Sequence, residues 1–384
     1  MNPAIVISAY NRPHALERIL SSISQAQYVQ RDVPLVISID RGDDERNNQV
    51  AAIANQFEWK FGPKQVIHHS NHLGLLQHIF FCGGLTNTYD AVISLEDDLY
   101  VSPSFYVYAS QALNFYHDDP RIAGVSLYAL WFNGYTKQPF VPLADGTDGF
   151  FLQIPYTQGQ AWSKRQWERF TAWRARGNTR PGRGDNLHEM WFHFDAQDHF
   201  PILTKYLVET NQYYVYSRVS LTTGFGDQGT HFSNASSFFQ VPLERCKPSY
   251  HLNPFDQATS VYDSFFEIRS DRLNRLTGAL RDYDYSVDLY ATKSRRNIFT
   301  EYVLTSRRSR APIRSFGKAM FPHEMNVIEN IPGSEIVLCK TSDVRWDWLA
   351  EIETKKINHD YFTRKQPTSK KLWLQFALLK LLRR

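Results

Sequence analysis

Hydrophobic and polar positions alternate in blocks along the first hundred residues. Ala4 to Ala9 is an apolar run of strand length, and Asn11-Arg12-Pro13 then opens a segment in which Leu16, Ile19, Leu20 and Ile23 recur at helical spacing. Leu35-Val36-Ile37-Ser38-Ile39 is a second strand run that stops at Asp40. Gln65-Val66-Ile67-His68 is a third, and Ala91-Val92-Ile93-Ser94-Leu95 a fourth that enters Glu96. Helical segments separate them. This alternation predicts an α/β fold, a mostly parallel sheet flanked by helices with right-handed connections. Ligands of such sheets bind beyond the C-terminal ends of the strands. The polar residues gather there: Asn11 and Arg12, then Asp40, then Ser70 and Asn71, then the triplet Glu96-Asp97-Asp98.

A catalytic domain is expected over residues 1–245. Periodicity weakens from Tyr250 onward, so residues 246–384 are expected to form a C-terminal extension, of which only a helical tail can be placed. Arg174 to Asp185, rich in Arg and Gly around Pro181, reads as a mobile loop.

Composition narrows the class. With 384 residues, 42% hydrophobic and 21% charged, the chain can bury a full core. Aromatic residues make up 15%, which serves either core packing or stacking on carbohydrate faces. Cys82, Cys246 and Cys339 are odd in number and lack CxxC pairing, which argues against a disulfide framework or zinc site and for a reducing cytosol. The N-terminus has no basic n-region, and no apolar run reaches ~18 residues, so neither signal peptide nor membrane span is expected. The net charge of +4 conceals basic clusters at Trp173 to Arg183, Lys293 to Lys318 and the C-terminus. Residues 369–384 place an apolar run between basic ends, as interfacial helices do. They are expected to dock on an anionic membrane surface, with a helix packed on the protein's own core as the alternative. No nucleic-acid partner is expected.

The chemistry centres on the triplet. In an extended chain alternate side chains share a face, so Glu96 and Asp98 should project together and Asp97 oppositely. Two carboxylates facing one site call for a cation. A hard ion such as Mn2+ or Mg2+, held by one or two carboxylates and by substrate phosphate oxygens, suits this arrangement and would neutralise a leaving diphosphate. Arg12 and Asp40 together suggest a nucleotide pocket, in which a carboxylate accepts an imide hydrogen and a guanidinium orients a phosphate or a neighbouring carboxylate. A structural bridge between the two is the other reading of Arg12. Thr222 to His231 holds three glycines in a window too short for an element, and reads as a loop able to close over substrate. Gly226, Thr230 and His231 are its candidate donor contacts. A base for displacement at a sugar carbon must be a carboxylate, and Glu189, Asp195 and Asp198 are all available.

The stretches Val6 to Arg12, Val36 to Asp40, Ala91 to Phe105, and Ser217-Arg218 leading to Gly224-Phe225-Gly226 resemble a GT-A-fold glycosyltransferase. The resemblance is to the N-acetylglucosaminyltransferase that initiates complex N-glycan branching and to bacterial family 2-type enzymes, over residues 3 to 240. It implies a nucleotide-diphospho-sugar transferase in which Asp98 binds Mn2+, Glu96 contacts the donor sugar, Asp97 faces the nucleotide, Asp40 meets uracil and Arg12 supports that pocket. Counting back from Ser217-Arg218 places the family's catalytic aspartate at Asp198, with Asp195 as the alternative. The pattern departs at Gln197-Asp198-His199 and Gly159-Gln160-Ala161-Trp162. The resulting expectation is a bacterial, cytoplasmic enzyme, peripheral on the inner membrane. It would transfer sugar with inversion from a UDP donor to a saccharide or lipid-linked acceptor in surface polysaccharide synthesis. A sugar-phosphate nucleotidyltransferase is disfavoured because no glycine follows the first strand between Ser8 and Pro13. A non-catalytic carbohydrate-binding protein is disfavoured by the intact triplet and Asp198.

Overall fold

The computed structural model describes residues 1–227, 237–363 and 370–382. They form two compact units: Met1–Trp131, Gly146–Asp185 and Glu189–Gln257 in the first, and Phe132–Asp145, Asn186–His188 and Ala258–Arg384 in the second.

The first unit begins β1 (Ala4–Ala9), α1 (Pro13–Ser24), β2 (Leu35–Ile39), α2 (Glu45–Gln56), β3 (Lys64–His68), α3 (Gly74–Gly84), α4 (Thr86–Tyr89) and β4 (Ala91–Glu96). It continues through β5 (Leu99–Val101), α5 (Phe105–Phe115), β6 (Ile122–Ser126), β7 (Gly149–Leu152), β8 (Gln160–Ser163), α6 (Lys164–Arg174), α7 (Phe200–Glu209), β9 (Tyr213–Ser217) and β10 (Thr222–Gly224). The four apolar runs of the sequence are the first four strands.

Strands β1 and β2 are buried at every position, as strands covered by helices on both faces must be. Pro13 supplies a preset φ and no stranded N–H at the first turn of α1, whose Leu16, Ile19, Leu20 and Ile23 face the sheet core. The sheet runs β7-β9-β6-β8-β4-β1-β2-β3. Pairing is parallel for β1 with β2 and β4, β2 with β3, and β6 with β9. Strand β8 lies antiparallel between β4 and β6, and β7 antiparallel to β9. The fold is α/β with a mostly parallel central sheet flanked by helices. Many of its aromatics are core: Trp162, Tyr106, Tyr108, Tyr128, Tyr206 and Tyr214 are among the largest fully buried side chains.

Two loop expectations change. Thr222–Gly224 is a strand, pairing antiparallel with β5 so that Thr222 faces Val101 and Gly224 faces Leu99. A long-range partner supplies hydrogen bonds that the glycine-rich sequence gives no sign of. The stretch Arg174 to Asp185 is pinned rather than free. Lys205 of α7, 1% exposed, donates to the Arg180 carbonyl at 3.1 Å and pairs with Asp185 at 3.1 Å.

The second unit holds a sheet where sequence periodicity was weak. Its strands run in the order Tyr285–Asp288, Tyr302–Thr305, Ile336–Lys340 and Pro312–Phe316, the first pair parallel and the others antiparallel. Polar residues inside it are tied into a network: Lys293 pairs with Asp263 at 2.6 Å, and Asp288 accepts from the Lys293 N–H at 2.9 Å and Thr305 Oγ1 at 3.0 Å. Helices Trp348–Thr363 and Lys370–Leu382 end the described chain. Among the described residues no helix is long and apolar enough to cross a membrane.

Candidate active site

The site forms where β1 and β4 end side by side. Their register sets Ser8 against Glu96, and the Asp97 N–H continues the ladder by donating to the Ser8 carbonyl at 3.1 Å. Strand β4 stops at Glu96, and Asp97-Asp98 turn into β5. The alternation of faces read from the sequence therefore ends at Glu96. In consequence one guanidinium reaches both aspartates: Arg12 donates to Asp98 Oδ2 at 2.6 Å and makes a short ion pair with Asp97 Oδ1. Asp97 is 1% exposed and also accepts from the Tyr10 N–H at 3.4 Å. Arg12 makes no bridge to Asp40.

The carboxylates feel one another. Glu96 is pushed up to about 8, first by burial and then by repulsion from Asp98, with Arg12 opposing and Asp97 and Asp198 adding to the rise. Asp97 rises to about 6, by burial first, with Arg12 as the main opposing influence. Burial works against the Arg12 charge, but Asp97, Asp98 and Glu96 outweigh it and hold the guanidinium above its ordinary value. Four carboxylates thus share one field with one arginine.

Asp198 enters that field from the start of α7. Its Oδ1 accepts from the Phe200 N–H at 2.9 Å, and its carbonyl accepts from Arg180 at 3.1 Å. The same Arg180 donates to the Asp195 carbonyl at 3.0 Å, so the pinned loop braces the whole turn. Asp195 and Glu189 are exposed, whereas Asp198 is half-buried.

Asp40 is only 3% exposed and accepts from the N–H groups of Arg41 at 2.9 Å, Leu73 at 2.7 Å and Gly74 at 3.0 Å, while His72 Nδ1 lies 3.0 Å away. Its carboxylate ties the chain after β2 to the first turn of α3. Around it cluster Ser38, His69 and His78, with Ser38 Oγ 3.0 and 2.8 Å from the two imidazoles. Tyr10 and His72 set rings 5.5 Å apart at the mouth of this region, and Tyr10 is 39% exposed.

On the other side of the triplet, the chain after β10 covers Asp98. A pocket there is lined by Asp98, Gln158, Gly226, Asp227, Phe239 and Gln240 among others. Gly226 takes a positive φ of 65°, which a side chain would oppose. Arg18 of α1 holds this segment: it pairs with Asp227 and lies 3.8 Å over the Phe225 ring. Nothing in the sequence around Arg18 marks it out, because only the return of β10 beside β5 brings Phe225 and Asp227 to it. Thr230 and His231 lie outside the described residues.

Among the described residues, no group of three or more His, Cys, Asp and Glu side chains forms a set able to hold a metal by itself. The donor chemistry fits a hard cation held partly by substrate. The oxygens are carboxylates in excess over the one arginine, and Asp98 stays about a third exposed beside the pocket.

No protein-family model matches the chain, and no curated relative does. Among solved structures it is similar to a mannosyltransferase from Pyrobaculum calidifontis in complex with GDP-Man and Mn2+, at 14% identity over 44% of this chain and 47% of that one, TM-score 0.32. It is also similar to S. aureus TarS in complex with UDP-GlcNAc, at 12% identity over 62% of each chain, TM-score 0.38. A third is a cytidylyltransferase from Leptospira borgpetersenii, at 13% identity over 45% of this chain and 64% of that one, TM-score 0.27. The mannosyltransferase and TarS are glycosyltransferases. The chain spans less than two thirds of the length of each of these three.

Proposed function

We propose that this chain is an inverting, metal-dependent glycosyltransferase that moves a sugar from a nucleoside-diphosphate donor, UDP being the expected nucleotide, to a saccharide or lipid-linked saccharide. The observation that carries the reading is the acidic turn Glu96-Asp97-Asp98 at the strand ends, with the separate carboxylate Asp198 inside the same field. Transfer to a hydroxyl needs two things at opposite sides of an anomeric carbon: a base for the incoming hydroxyl and neutralisation of the departing diphosphate.

Asp198 would take the acceptor proton. The Arg180 bond to its carbonyl and the Phe200 N–H bond to its Oδ1 fix where its second carboxylate oxygen can point. Asp98 would hold Mn2+ or Mg2+, which when bound supplies positive charge to the leaving diphosphate. Glu96, which burial and Asp98 hold above its ordinary value, would contact a donor-sugar oxygen. Asp97 keeps Arg12 aimed at the pocket. Asp40 supports the donor site by fixing the Leu73-Gly74 corner, and Gly226 and Asp227 line the pocket beside Asp98 in which the donor would sit. The setting expected for this reaction is bacterial surface polysaccharide synthesis.

The test is a screen of nucleotide sugars with Mn2+, reading nucleoside-diphosphate release and thermal shift together. Release that disappears in Asp98→Ala, with the fold retained, supports the reading. Full transfer by Asp98→Ala refutes the metal assignment, and pyrophosphate formed from a sugar phosphate and a nucleoside triphosphate would identify a nucleotidyltransferase instead.

A further inference from the structure

The helix Lys370–Leu382 is apolar on more than one side, and its neighbour covers only one of them. Phe376, 8% exposed, packs its ring 5.2 Å from His359 and 5.6 Å from Lys356 Nζ, both on the helix Trp348–Thr363. The large apolar residues turned away from that contact are open: Trp373 is 58% exposed, Leu374 62%, Leu378 39% and Leu381 69%. At ~100° per residue these four fall within an arc of roughly 140°. A helix apolar all round is ordinarily buried all round, so the open arc lacks its counterpart.

Charge identifies that counterpart. From Arg364 to Arg384 the sequence has seven basic residues, Arg364, Lys365, Lys370, Lys371, Lys380, Arg383 and Arg384, and no acidic one. Lys370 and Lys371 precede these four residues and Lys380 stands just before Leu381, all three exposed. An apolar strip with lysines toward both ends, and a tryptophan within it, has the chemistry of an element lying in the headgroup layer of an anionic bilayer. A protein partner would need acidic groups set opposite both Lys370-Lys371 and Lys380, whereas a lipid surface supplies them everywhere.

We propose that the helix Lys370–Leu382 docks the protein on an anionic lipid surface through Trp373, Leu374, Leu378 and Leu381, while Phe376 keeps it fastened to the helix before it. The two sides of one helix then have separate tasks. The proposal does not depend on the transfer reaction, because its test needs no donor.

The experiment is co-sedimentation of the full chain with phosphatidylcholine vesicles, with and without about 30% phosphatidylglycerol, at low and high salt. Binding is expected only with the anionic lipid, and should weaken by at least ~10-fold at about 0.5 M salt. The paired change Leu374→Ser with Leu378→Ser should lower binding by at least ~10-fold while leaving the thermal midpoint unchanged, since both side chains are exposed. Lys370→Gln with Lys371→Gln should do the same by removing attraction alone. Equal binding by the serine variant overturns the proposal. So does a wild-type protein that ignores anionic vesicles, including one whose open face instead joins two copies in a dimer that the serine variant breaks.

Discussion

Replacing Asp40 by Asn separates two roles that a carboxylate after the second strand could have. The side chain is 3% exposed, one oxygen accepting from Arg41 and Leu73 and the other from Gly74. An asparagine keeps one acceptor oxygen and turns an NH2 toward at least one backbone N–H, so a buried donor faces a donor. Losing a charge-assisted bond and stranding that N–H should cost ~2–3 kcal/mol. For a protein of this size that corresponds to a fall in thermal midpoint of roughly 2–4 °C. The assay is urea and thermal unfolding of Asp40→Asn beside the wild type, with donor affinity measured on whatever remains folded. If Asp40 instead reads the base directly, stability should stay within ~0.5 kcal/mol while donor affinity alone collapses. That second outcome would refute the positioning role given to Asp40 here.

Further predictions follow from the same contacts. Burial lowers His78 to about 4, with Asp40 raising it and His69 and His72 lowering it. A base depressed below its unfolded value contributes stability that is complete above pH ~6.5 and lost as pH falls toward ~4, up to about 3 kcal/mol. Glu96 and Asp97, held above their ordinary values, titrate with the opposite sign in the same window, so the slope should appear as the difference between denaturant titrations of the wild type and of His78→Gln. Arg12→Met leaves Asp97 buried without its cation; because Arg12 is itself a third exposed, the loss should be ~1–3 kcal/mol, read by urea unfolding. An unchanged midpoint would contradict the pairing. Asp198→Asn should lower turnover by ~10²-fold or more without changing the fold, whereas Asp195→Asn should stay near wild type. Reversal of that order in a steady-state assay would exchange their roles.

The strands and the helix Pro13–Ser24 were legible because each is dictated locally: unbroken apolar runs make covered strands, and Leu16, Ile19, Leu20 and Ile23 mark one helical face. The acidic turn was legible for the same reason. What escaped were features fixed by distant chain. Thr222–Gly224 becomes a strand only because Leu99–Val101 lies beside it, and that pairing also brings Asp227 and Phe225 to Arg18. The sheet of the second unit escaped because its strands are short and Pro312–Phe316 is mostly exposed. Asp97 broke the two-residue alternation because the strand stops one residue earlier, and no residue type announces that stop.

Arg12 has a consequence for the order of events. Its guanidinium already occupies Asp97 and Asp98, so the acidic turn carries its own resident countercharge. The empty protein should therefore be a poor chelator, since an incoming ion must compete with a tethered one whose local concentration never falls. Under the proposed function a diphosphate would change that contest by giving the arginine another anion and the ion another set of oxygens. Nucleotide and metal would then be mutually dependent ligands, arriving as a pair and leaving as a pair.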